Sequence, residues 1–179
     1  MKTCIALFRG INVGGKNMLP MKELVTVLES LGLQNIKAYI QSGNAVFQSK
    51  VADTAKLAKT ISAAIKKSHG FEPQVLLLDS VLLNKVIKAN PYPEAEAAPN
   101  TLHVVFLSAI PPKPDLNALE RIRTASEHFQ LAGNVLYLLA PDGIGRSKLA
   151  AGMERLLGVA MTSRNWNTVR KLQEMITKQ

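Results

Sequence analysis

Ile36-Lys-Ala-Tyr-Ile-Gln-Ser-Gly-Asn-Ala-Val-Phe-Gln48 sets two short apolar runs on either side of a serine, a glycine and an asparagine. Glycine and asparagine tolerate positive φ, so Ser42-Gly43-Asn44 predicts a hairpin turn joining strands over 36–41 and 45–48. Upstream, Leu24, Val27, Leu28 and Leu31 form one helical stripe behind Pro20, which suits a first helical position, and Gly32 ends it. Before that helix, residues 2–8 are apolar on both faces, as in a central strand. Downstream, Leu57, Ile61, Ala64 and Ile65 mark a helix over 54–68, and a strand follows over 74–78. Strand, helix, strand, strand, helix, strand is the split βαβ order of ferredoxin-like folds.

The remainder repeats that grammar. A helix over 80–89, with Ser80 as its N-cap, runs into a stretch over 90–100 that holds Pro91, Pro93 and Pro99 and breaks the chain. A strand over 102–107 and a helix over 115–124 come next. Strands over 129–132 and 135–140 flank a Gly133-Asn134 turn, and a helix covers 147–157. The closing strand is short, over 159–161, and a terminal helix spans 165–177. The expected class is therefore α+β: two ferredoxin-like halves packed together, residues 1–89 and 101–179, joined by a proline-rich linker over 90–100, with an extra C-terminal helix. No residue-level repeat is visible, so duplication rests on element order.

Of the 179 residues 47% are hydrophobic and 20% charged, a globular rather than a disordered balance. No apolar run reaches the length of a membrane span, and the start is too short for a secretory signal, so a cytoplasmic protein with no membrane partner is expected. The single cysteine, Cys4, sits within the first strand and excludes an internal disulfide or a thiolate metal cluster. Net charge is +9, unevenly spread. Residues 1–50 hold six Lys/Arg against two Glu, residues 51–145 nine of each sign, and residues 146–179 seven against two. The excess lies at the two ends of the chain, a distribution that suits phosphate, nucleic acid or an acidic partner if those ends meet.

Those ends also carry the polar motifs. Arg9-Gly-Ile-Asn-Val-Gly-Gly-Lys-Asn17 joins a strand to a helix, the place where α/β proteins cradle phosphate, though it matches neither nucleotide-loop pattern. Asn12, Gly14, Gly15, Lys16 and Asn17 are its candidate ligands, with Arg9 beside them; a plain glycine turn is the competing explanation. Gln41, Ser42 and Asn44 of the hairpin either serve the turn alone or direct amides to the first loop. Gly143-Ile-Gly-Arg-Ser-Lys148 places Arg146, Ser147 and Lys148 at a helix start, an anion pocket or simply a capped terminus. In Thr162-Ser-Arg-Asn-Trp-Asn-Thr168, which opens the last helix, Trp166 either packs or stacks on a planar ligand, beside Arg164, Asn165 and Asn167.

His69, His103 and His128 show no metal-ligand spacing, no carboxylate pair stands out, and no G-x-S-x-G is present, so neither metal, cofactor nor catalytic residue is expected. The segments Leu7–Asn17, Tyr39–Asn44, Pro141–Lys148 and Thr162–Thr168 together resemble a bacterial family catalogued as domain-of-unknown-function family 1697. The resemblance implies a bacterial source and an α+β architecture, and no activity. Three expectations follow from the residues. The first is a non-catalytic binding protein for a phosphate-bearing ligand, with nucleic acid foremost. The second is an enzyme acting on a small phosphorylated or carboxylated metabolite. In the third, the motifs form an internal hydrogen-bond network and bind nothing.

Overall fold

Alternation and helical spacing translate into fourteen regular elements, seen in a computed structural model that describes residues 1–41 and 43–178. They gather into two compact units, Met1–Lys85 with Leu172–Gln179, and Val86–Lys171. The first contains β1 (Lys2–Arg9), α1 (Met21–Ser30), β2 (Gln34–Tyr39), β3 (Asn44–Ser49), α2 (Thr54–His69) and β4 (Gln74–Asp79). Its sheet has the order β2-β3-β1-β4 with every pair antiparallel. β1 is central because both of its faces are apolar. Cys4, Ala6 and Phe8 join Ala45 and Phe47 of β3 under Leu24 and Leu28 of α1 and Leu57, Ile61 and Ile65 of α2. Burying each such leucine or isoleucine contributes about 1.5–3 kcal/mol over leaving it in water. Cys4 is part of this core, and burial pushes its thiol pKa up.

The helix ends follow from particular side chains. The carboxylate of Asp53 accepts the N–H of Lys56 at the start of α2, and Gly70 closes that helix at φ 79°. In α3 (Ser80–Lys88) the cap is Asp79, whose Oδ1 accepts the N–H of Leu82 at 2.7 Å. The expectation of Ser80 in that role is corrected: Ser80 is already the first helical residue, and a carboxylate is the stronger acceptor. The division between the units falls within α3.

The second unit holds β5 (Leu102–Leu107), α4 (Leu116–Ile122), β6 (His128–Ala132), β7 (Val135–Leu139), α5 (Lys148–Leu157) and β8 (Met161–Asn165). α6 (Trp166–Thr177) follows and, from Leu172 onward, belongs to the first unit. The sheet order β6-β7-β5-β8 is again wholly antiparallel. Val105, Leu107, Leu136 and Leu138 pack under Leu119 of α4 and Leu149, Met153 and Leu157 of α5. The proline-rich stretch contains a single 3-10 turn, Pro93–Ala97, with Ala95 buried.

One element departs from its sequence pattern. The closing strand is not over 159–161; β8 pairs with β5 from Met161↔Leu107 to Asn165↔His103. Thr162-Ser-Arg-Asn165 is polar enough to hide a strand from any hydrophobic alternation, and backbone pairing imposes the extended form. The architecture is α+β, two ferredoxin-like halves and a C-terminal helix.

Candidate functional site

In the first unit the loop after β1 is built by its asparagines. Asn12 stands at φ 53° and Asn17 at φ 51°, a conformation that asparagine tolerates better than most residues. Asn12 Oδ1 accepts the N–H of Leu19 at 2.7 Å, and its Nδ2 donates to the carbonyls of Leu19 and Gln41, each at 2.9 Å. Asn17 Nδ2 donates to the Gly10 carbonyl at 2.9 Å, and the Asn17 carbonyl accepts the N–H of Asn12 at 3.0 Å. These amides close the loop on itself and fasten it to the hairpin turn. Beyond them the tip remains outside. Gly14 and Gly15 have positive φ, Lys16 N–H donates to the Val13 carbonyl, and Gly14, Gly15 and Lys16 are all exposed. Arg9 is half-buried and donates to Gln74 Oε1 at 3.3 Å.

The hairpin turn serves this loop from below. Asn44 is fully buried and donates from Nδ2 to the Tyr39 carbonyl at 3.2 Å. Gly43, at φ 84°, donates to Ile40 and offers its carbonyl to the N–H of Phe8 at 2.9 Å. Gln41 is exposed, and only its backbone carbonyl meets Asn12. Ser42 lies outside the described residues. The structure thus brings Asn12, Asn17 and Gln41 together beneath the Gly14-Gly15-Lys16 tip.

In the second unit Ser147 caps α5, its Oγ accepting the N–H of Ala150 at 3.0 Å, and exposed Arg146 and Lys148 flank that terminus. Arg164 belongs to β8 rather than to a helix start, and it is 9% exposed. Its Nη1 donates to Thr162 Oγ1 and to the Ser163 carbonyl, both at 2.8 Å. Desolvation draws its pKa down to about 10, which still leaves it charged near neutrality. Asn165 Oδ1 accepts the N–H of Thr168 at 3.0 Å and so caps α6; exposed Asn167 donates to Asn100 Oδ1 at 2.9 Å. Trp166 is buried at 2% exposure.

His103 shows no ligand spacing in the sequence. It pairs with Asn165 across β5 and β8, and its Nε2 is buried without a hydrogen-bond partner among the described residues. Burial holds the imidazole below its ordinary pKa, against a hydrogen bond to the Asn100 backbone. The signal available was its place among Val105 and Leu107 on the core face of a period-2 strand. No cluster of three metal-ligating side chains occurs among the described residues. What the exposed groups can do is hold negative charge through lysine, arginine and glycine N–H donors.

Fold and loops define an α+β protein of two ferredoxin-like halves with glycine-rich, cation-bearing strand–helix connections. The chain belongs to the family described as protein of unknown function DUF1697, whose model matches residues 1–137. The segments 141–148 and 162–168 lie beyond that match. A solved structure, that of the conserved bacterial protein SP0830 from Streptococcus pneumoniae, is similar over 99% of both chains at 22% identity, with a TM-score of 0.71. That likeness concerns the fold. No curated protein matches the chain. Among the described residues no helix is long and apolar enough to cross a membrane.

Proposed function

We propose that this is a non-catalytic cytoplasmic protein that binds a phosphate-bearing ligand, with nucleic acid foremost. One observation carries this reading. The amides of Asn12 and Asn17 are spent on the backbone, which fixes the loop while leaving Gly14, Gly15 and Lys16 exposed at its tip. A fixed loop of this kind loses little entropy on binding, which is how preorganisation adds affinity. The Arg146-Ser147-Lys148 start of α5 offers a second set of outward cations beside a helix N-terminus. The interior bonds of Asn12, Asn44 and Asn165 favour a second reading, in which these asparagines are framework and contact no ligand.

A thermal-shift screen against nucleotides, phosphorylated metabolites and short duplexes, at low and moderate salt, tests both. Stabilisation that Lys16→Ala abolishes supports binding at the first loop. Absence of any shift from every anion leaves the framework reading alone.

A further inference from the structure

α2 carries Lys56, Lys59, Lys66 and Lys67 and no acidic residue. At 3.6 residues per turn these four project within an arc of about 100°, with Ala63 between them and Thr60 at its edge. All six of those residues are exposed. The helix is 16 residues long, and the ridge from Lys56 to Lys67 extends about 17 Å along it. Within residues 51–145 the charges cancel, so the block total conceals a helix of +4 whose balancing acids lie elsewhere in the sequence.

The stability of the helix does not account for this face. Lys66 and Lys67 lie in the last turn, where the helix dipole favours cations, and Lys66 also pairs with Glu72 at 2.8 Å. Lys56 lies in the first turn, where the dipole opposes it, and it stands three residues from Lys59, a like charge. A face serving only solubility mixes both signs, as α1 does with Lys22, Glu23 and Glu29. Glu23 itself is occupied with His69 Nε2 at 2.6 Å, and Asp53 with the start of α2.

We propose that this face of α2 is a track for the sugar–phosphate backbone of a nucleic acid duplex. Lysine supplies point charges without the planar fork that reads base edges, so contact is sequence-independent. The ridge holds no aromatic residue on which unpaired bases stack, which favours a duplex over a single strand. Nor does it hold an apolar anchor for a lipid surface, Ala63 being the residue between the lysines and Thr60 the one at their edge. The track rests on the reading of the protein as a nucleic acid binder and extends it to a surface separate in sequence from the Gly14-Gly15-Lys16 loop.

The test compares the full chain with the triple variant Lys56→Gln, Lys59→Gln, Lys67→Gln and with Lys16→Ala. Each is titrated with fluorescent duplex DNA and RNA across a salt series, and with anionic lipid vesicles. All four positions are exposed, and circular dichroism confirms folding. The triple variant is expected to bind the duplex roughly tenfold or more weakly near 0.1 M salt, and to lower the salt slope by about three. Wild-type affinity and slope in the triple variant would overturn the track while leaving the loop reading to the result for Lys16→Ala. Loss in the triple variant alone supports the track and removes the loop. Vesicle binding without duplex binding overturns the track in favour of a membrane surface, and absence of any binding removes both.

Discussion

Gly43 stands where two constraints meet. Its φ of 84° is a region that side chains avoid, and a Cβ there would lie 2.6 Å from Ile11 Cδ1 and 2.8 Å from Phe8 Cβ. Gly43→Ala is expected to cost about 2–4 kcal/mol, read as a lower urea midpoint at unchanged slope. A midpoint within error of the native protein would show that the turn has another conformation open to it. His103 makes a pH-dependent prediction at the same scale. Its folded pKa lies below the ordinary 6.5, so the unfolded chain takes up the proton first as pH falls through that value. The corresponding stability is complete above that value and is lost on acidification until the folded imidazole also titrates. His103→Leu should flatten that part of the stability curve between about pH 7 and 5 relative to the native chain; parallel curves would refute it. The glycine and asparagines of these turns were legible as turn residues. That their amides bond to Leu19, Gln41 and Gly10 was not, because those partners are set by where the chain returns.

At the scale of elements, the amphipathic helices were legible because a stripe of leucines repeating at 3.6 residues has one means of burial. β8 was not, since its identity comes from backbone pairing to β5 rather than from its side chains. Moving Arg164 from a helix start to a strand changes what it does: a buried guanidinium bonded to Thr162 and Ser163 holds local structure. Caps belong to this scale too. Ser147→Ala should lower stability by about 1 kcal/mol through the loss of the bond to the Ala150 N–H, measured by chemical denaturation. If Ser147 also touches a ligand, phosphate stabilisation should fall in the same variant; an unchanged ligand shift would confine the residue to capping. The lysine face of α2 is not legible in charge totals over blocks of sequence, because its meaning lies in angular position around a helix.

For the whole molecule, the chain order and the compact units do not coincide. Leu172 is buried, Gln173 bonds Asn84 at 3.0 Å, and Lys37 Nζ bonds the Lys178 carbonyl at 3.1 Å, all within the first unit. Ending the chain at Lys171 should therefore reduce amide hydrogen-exchange protection around β2 and α3, despite their distance in sequence. Protection there equal to that of the full chain would count against this grouping. By itself the sequence determined the number and kind of most elements, the α+β class and the turn chemistry. Periodicity, glycine and asparagine act over a few residues and are visible in a few residues. Tertiary structure alone decided that β8 is a strand, that Trp166 and Arg164 are buried, and that the loop asparagines are spent on backbone while Lys16 remains in solvent. Those outcomes depend on which backbone groups and which water the fold leaves to each side chain, and that is fixed only when segments far apart in the chain come together.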